Sequence, residues 1–135
     1  MSDFAAGRSV ATVALVVKDY DEAIRWYVDR AGFVLTSDVD LGGGKRWVTV
    51  QPASGQGAKL LLAKADGPVQ SASVGNQTGG RVFLFLETDD FERDHAAMIA
   101  RGVEFREAPR HELYGTVAVF ADLYGNLWDL IQPAR

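Results

Sequence analysis

The 135-residue chain contains no cysteine. That absence excludes thiol catalysis, zinc–thiolate sites and a disulfide framework, and it leaves the redox compartment open. Histidine is scarce: the two residues, His95 and His111, fall on a predicted helix and in a predicted loop. No Ser-His-Asp set can be argued from their chain neighbours, because such sets are recognised by geometry. Basic clusters are missing too. Lys and Arg number 14 against 18 Asp and Glu, a net charge of −4, and the densest basic pair, Lys45-Arg46, sits beside glycines. A duplex binder carries a clustered basic footprint, so no nucleic-acid partner is expected. No apolar run long enough to span a bilayer, signal-peptide core or transit peptide is present. The expectation is a cytoplasmic protein with no membrane partner.

What the chain does have is the same pattern twice. Asp19-Tyr20-Asp21-Glu22 opens a segment closing at Gly32-Phe33, and Asp89-Asp90-Phe91-Glu92 opens one closing at Gly102-Val103. Asp19 to Asp89, Glu22 to Glu92 and Gly32 to Gly102 are each 70 positions apart. Aligning Asp19-Tyr20 with Asp90-Phe91 instead gives 71, which a one-residue difference within the helix region would reconcile. A tandem copy in so short a chain implies two small modules sharing one fold, with a pocket expected between them. At this length roughly two thirds of the unfolded surface can be buried, so neither a metal nor a crosslink is needed for stability.

The elements follow the same order in both copies. Residues 1–8 read as a loose terminus. The β-branched run Val10 to Val17 reads as a buried strand. Asp19 is a good N-cap with Glu22 three residues on, the pattern of a capping box. Tyr20, Ile24, Tyr27 and Ala31 then give one apolar helix face, and Gly32 suits the left-handed stop. Strands are expected at Phe33 to Ser37, Trp47 to Gln51 and Lys59 to Ala63. In the second copy they are expected at Arg81 to Thr88, Val103 to Arg106, Thr116 to Ala121 and Leu127 to Ile131, with a helix capped by Asp89 or Asp90 and running to about Arg101. Gly42-Gly43-Gly44 lacks a phosphate-loop ending and reads as a hairpin tip. The Gly-rich stretch at 66–80 reads as a linker. The chain is therefore one α+β domain of two βαβββ modules. Module 1 spans about 9–65, the linker about 66–80 and module 2 about 81–135.

This double pattern resembles the vicinal-oxygen-chelate superfamily of glyoxalases, bleomycin-resistance proteins and extradiol dioxygenases. The residues that carry the resemblance are Val13-Ala14-Leu15-Val16-Val17-Lys18-Asp19, Ala23, Trp26-Tyr27 and Gly32-Phe33. In the second module they are Tyr114-Gly115, Asp122-Leu123-Tyr124-Gly125-Asn126 and Trp128-Asp129-Leu130. Leu123 stands where the family usually has proline. The resemblance implies curved sheets enclosing a cavity and, in many members, a homodimer.

Metal-dependent members of the family place one ligand on the first and last strand of each module. The positions this carries over to are Thr12, Lys59, Phe83 and Asp129. Phe offers no donor and the Lys ammonium repels a cation, so no cofactor is expected, and a divalent metal would have to recruit Glu87 or residues of a partner chain. If the carried-over positions face the cavity, Phe83 among them, strand alternation puts Thr12, Ala14 and Val16, then Lys59 and Leu61, then Phe83, Phe85 and Glu87, then Leu127, Asp129 and Ile131 on that side. If the protein is an enzyme, the acid–base candidates are Glu87 and Asp129, with Lys59 standing in for the missing metal charge and pairing with Asp129. The same pair would also serve as a purely structural ion pair. Ligand-contact candidates are Thr12, Trp47, Leu61, Phe83, Phe85, Tyr114 and Trp128.

Three functions remain open at this point. One is a metal-independent binding protein for a small, partly aromatic organic molecule. Another is a glyoxalase-like lyase or isomerase. The last is an interaction module whose cavity is filled by its own side chains.

Overall fold

The computed structural model describes residues 3–4 and 6–135; of the terminus expected to be loose, Met1, Ser2 and Ala5 lie outside the described residues. Module 1 runs β1 (Thr12–Val17), α1 (Tyr20–Arg25, continued by a π-helical turn Trp26–Arg30), β2 (Phe33–Gly42), β3 (Lys45–Pro52) and β4 (Lys59–Lys64). A short helix α2 (Gly67–Ser73) follows. Module 2 runs β5 (Val82–Glu87), α3 (Phe91–Ala100), β6 (Glu104–Phe105), β7 (Arg110–Glu112), β8 (Gly115–Ala121) and β9 (Leu127–Pro133). The first sheet has the order β1-β4-β3-β2, and the second β5-β9-β8-β6 with β7 also paired to β8. In each sheet the first and last strands of the module run parallel. Two curved sheets and their helices thus repeat one plan, an α+β fold as expected.

The helix caps explain the ambiguous spacing. The Asp19 side chain accepts from Glu22 N at 2.8 Å, and Asp90, not Asp89, accepts from Arg93 N at 3.1 Å. Cap to cap is therefore 71 residues, whereas Gly32 and Gly102, both at positive φ, are 70 apart. The first helix absorbs its extra residue as the π turn, where Ala31 N donates to Trp26 O at 3.2 Å. Single π turns inside α-helices are the usual way to house one inserted residue.

Two elements depart from the sequence reading. The linker contains α2, because Pro68 suits the first turn of a helix and the Gln70 side chain accepts from Asp66 N at 2.9 Å. The second strand of module 2 is split into β6 and β7, so this module carries one strand more than βαβββ.

One apolar cluster joins the modules. Leu15, Val17, Val48, Val50, Leu60 and Leu62 meet α1, while Phe120, Trp128 and Leu130 meet Phe91 and Met98 of α3. Aromatic rings cross the seam: Trp128 lies 6.1 Å from Tyr27 and 5.9 Å edge-on to Phe33. A buried polar chain reinforces it. Trp128 Nε1 donates to the Tyr27 hydroxyl at 3.3 Å, which donates to Asp122 Oδ2 at 2.7 Å. Burial, with the Asp122 charge second, holds the Tyr27 hydroxyl well above its ordinary value of 10.0. From the linker, Gln77 accepts from Val16 N on the free edge of β1 and donates its backbone N–H to Asn126 Oδ1, both at 3.1 Å.

Candidate functional site

Because strand side chains alternate, the residues between the core positions form the opposite, open face of each sheet. On the first sheet the register sets Ser37, Thr49, Leu61 and Ala14 in one row, with Val39 beside Trp47 and Thr12 beside Lys59. Trp47 is 43% exposed there. On the second sheet one row is Val119–Asp129–Phe85 and the next is Arg110–Val117–Ile131–Glu87. Phe85 is 63% exposed. Each face thus mixes apolar and polar side chains, with Thr49, Val117 and Asp129 buried within it and Trp47 and Phe85 exposed, a mixture compatible with a small-molecule site.

Asp129 is the polar centre of the second face. It is 7% exposed, and its Oδ1 is buried with no hydrogen-bond partner. Burial raises its carboxyl above the ordinary 3.8; Arg110 pulls it down, and Glu107 pushes it up. Arg110 acts on Asp129 through its charge and makes no hydrogen bond to it; its Nε and Nη1 bond other groups. Its Nε meets Glu107 Oε2 at 2.6 Å, and its Nη1 meets Glu112 Oε1 at 3.1 Å and the Tyr114 hydroxyl at 3.4 Å.

Of the residues singled out in the sequence, Trp47, Leu61, Thr12 and Lys59 stand together on the first open face, and Phe85, Glu87 and Asp129 on the second. Tyr114 is 54% exposed in the turn between β7 and β8. Phe83 and Trp128 stand elsewhere. Trp128 is 3% exposed in the core, and Phe83 packs edge-on against it at 6.0 Å. A register shift between Val82 and Leu84 turns Phe83 inward. Since Lys59 pairs with Thr12 and Asp129 with Phe85, the structural counterpart of Thr12 is Phe85, not Phe83.

Lys59 forms no ion pair with Asp129 among the described residues; the charges that act on Asp129 are Arg110 and Glu107. The Arg110, Glu107 and Glu112 cluster was missed in the sequence. Its one signal, an Arg two residues before a Glu and seven before Val117, becomes visible only once β7 is known to pair with β8.

The family's metal-ligand positions, transferred by this register, hold Thr12, Lys59, Phe85 and Asp129. One carboxylate beside an ammonium and a phenyl ring does not fit a divalent cation. Among the described residues no three His, Cys, Asp or Glu side chains are grouped to hold an ion. His95 stacks on Phe91 at 5.2 Å and meets Phe105 edge-on.

A concavity lies along the seam between the modules. It is a groove of about 1070 Å³ lined by Val13, Phe33 and Pro52 of module 1 and Leu84, Leu86 and Met98 of module 2, with Arg30, Arg93 and Arg101, and Phe85 and Glu87 border it as well as the open face. Among the described residues no helix is long and apolar enough to cross a membrane.

The family model of the Glyoxalase/Bleomycin resistance protein/Dioxygenase superfamily matches residues 9–130. An uncharacterized protein of Shewanella frigidimarina (strain NCIMB 400) is 54% identical over 126 residues, covering 93% of each chain. Among solved structures, the antibiotic binding protein TnmS3 from Streptomyces sp. CB03234 is 31% identical with a TM-score of 0.77, covering 97% of this chain and all of its own. The crystal structure of UcmS2 superposes with a TM-score of 0.80 at 25% identity, covering 92% of this chain and 97% of its own.

Proposed function

The chain belongs to the glyoxalase/bleomycin resistance protein/dioxygenase superfamily, and on that premise we propose that it binds a small, partly aromatic organic molecule on its open sheet faces, without the family metal. The observation that carries this reading is the composition of those faces. Exposed Trp47 and Phe85 offer flat apolar contact, and Asp129 supplies a polar centre. Phe85 points out of the core, which argues against a cavity filled by its own side chains. The donor set at the family's ligand positions argues for binding without a metal. The antibiotic-binding activity named for the Streptomyces relative is the same kind of function.

A second copy of the chain completes the site. In one chain both faces lie open, and Asp129 feels Arg110 and Glu107 instead of Lys59. A homodimer that sets the Trp47 face of one chain against the Phe85 face of the other encloses a ligand and buries the exposed aromatics. The test is a titration with the flat aromatic probe 2-naphthol in excess EDTA, followed by energy transfer from tryptophan. Saturable binding that EDTA leaves intact, and a transfer signal reduced in Trp47→Phe to what Trp26 and Trp128 give while calorimetric binding persists, are the expected results. No saturation, or binding abolished by EDTA, rejects the reading.

A further inference from the structure

Resting on the proposed ligand site, we infer that its ligand carries a hydrogen-bond donor, an O–H or N–H on a flat ring, and that Asp129 is the residue that receives it. The register places Asp129 directly beside Phe85 on one side and Val119 on the other, all on the open face. The residue is 7% exposed, and its Oδ1 is buried without a partner. A buried acceptor with no donor is costly to the fold, so its persistence calls for a donor that arrives from outside the chain. The cation that acts on it, Arg110, makes no hydrogen bond to Asp129; its Nε and Nη1 go to Glu107, Glu112 and Tyr114.

The terminal torsion of an aspartate is broad and two-fold, so either oxygen can turn toward a ligand. The neighbouring Phe85 ring, open to solvent, supplies the surface on which the ring bearing that donor lies. A ring with only ethers or alkyl groups leaves the carboxyl unpaired and desolvates it further. Selection against such rings is strong for this reason: sites built to bond a donor reject the analogue lacking it.

Two probes of the same shape separate this inference from the reading on which it rests. 2-Naphthol carries the donor, and 2-methoxynaphthalene replaces it with an ether. Calorimetry of wild type, Asp129→Leu and Asp129→Asn measures both. Wild type is expected to prefer 2-naphthol by about tenfold or more, the range for a hydrogen bond to a charged group. That preference vanishes in Asp129→Leu with affinity for the ether unchanged or improved, and survives in part in Asp129→Asn, whose amide oxygen still accepts. Equal affinities in wild type, or a preference that persists in Asp129→Leu, overturn the role of Asp129 and leave the ligand site standing. If neither probe binds wild type, the proposed function falls and the inference with it.

Discussion

At the scale of single residues, Asp129 and Tyr27 are opposite uses of a buried polar group. The Tyr27 hydroxyl is bonded on both sides, by Trp128 and Asp122. Tyr27→Phe removes the link and leaves the Trp128 N–H without a partner, while Asp122 Oδ2 keeps the Asn126 amide, so it should cost about 1–3 kcal/mol. Urea unfolding should show a lower midpoint with an unchanged slope. Asp129 lacks any such partner, so Asp129→Leu should stabilise the fold by a similar magnitude, about 1–3 kcal/mol at pH 7.

The pH dependence gives a sign for Asp129. Its carboxyl is raised in the folded state by burial, against Arg110 and with Glu107; Glu87 is the other charge on the adjoining strand. A raised value means that the wild-type fold holds its relative stability below 3.8 and loses it as pH rises through the folded value. The advantage of Asp129→Leu should therefore grow from acid to neutral pH. A constant advantage across that range would show that the carboxyl titrates as it does in the unfolded chain. Proteins tolerate such a penalty where function needs the group.

At the scale of elements, what was legible in the sequence were features written in local chemistry. Asp19 and Asp90 cap their helices, Gly32 and Gly102 end them, and the one-residue mismatch surfaced as the π turn at Trp26–Arg30. Features set by pairing at a distance were not legible. The register shift that turns Phe83 inward depends on β9, and the three residues of β7 are too few to show a period. Helix α2 buries no residue, so it carries no hydrophobic pattern to read. Two glycines separate local from distant demands. Both Gly32 and Gly75 sit at φ near +78°, but a side chain at Gly32 meets open space, whereas one at Gly75 collides with the Tyr124 carbonyl oxygen. Gly32→Ala should cost about 1–2 kcal/mol, the left-handed penalty alone. Gly75→Ala should cost clearly more, because backbone must move where the linker meets the turn of module 2. Thermal unfolding of the two variants, with equal losses as the contrary result, checks this.

At the scale of the whole molecule, a duplicated module shares one core through its helix side and leaves both sheet faces outward. The proposed homodimer would cover the exposed aromatics of those faces, Trp47 and Phe85, with a ligand between. Sedimentation equilibrium should give twice the chain mass at micromolar concentration, and Trp47→Glu should shift the protein toward monomer. The fold alone carries none of this, because the same scaffold serves binding proteins and enzymes alike. The most direct measurement is backbone and side-chain NMR of the labelled protein during titration with 2-naphthol. Perturbed signals are expected at Trp47, Val119 and Asp129, with Arg30, Met98 and Arg101 of the seam groove unmoved. Perturbations confined to that groove, with the open sheet faces silent, would contradict the proposed site.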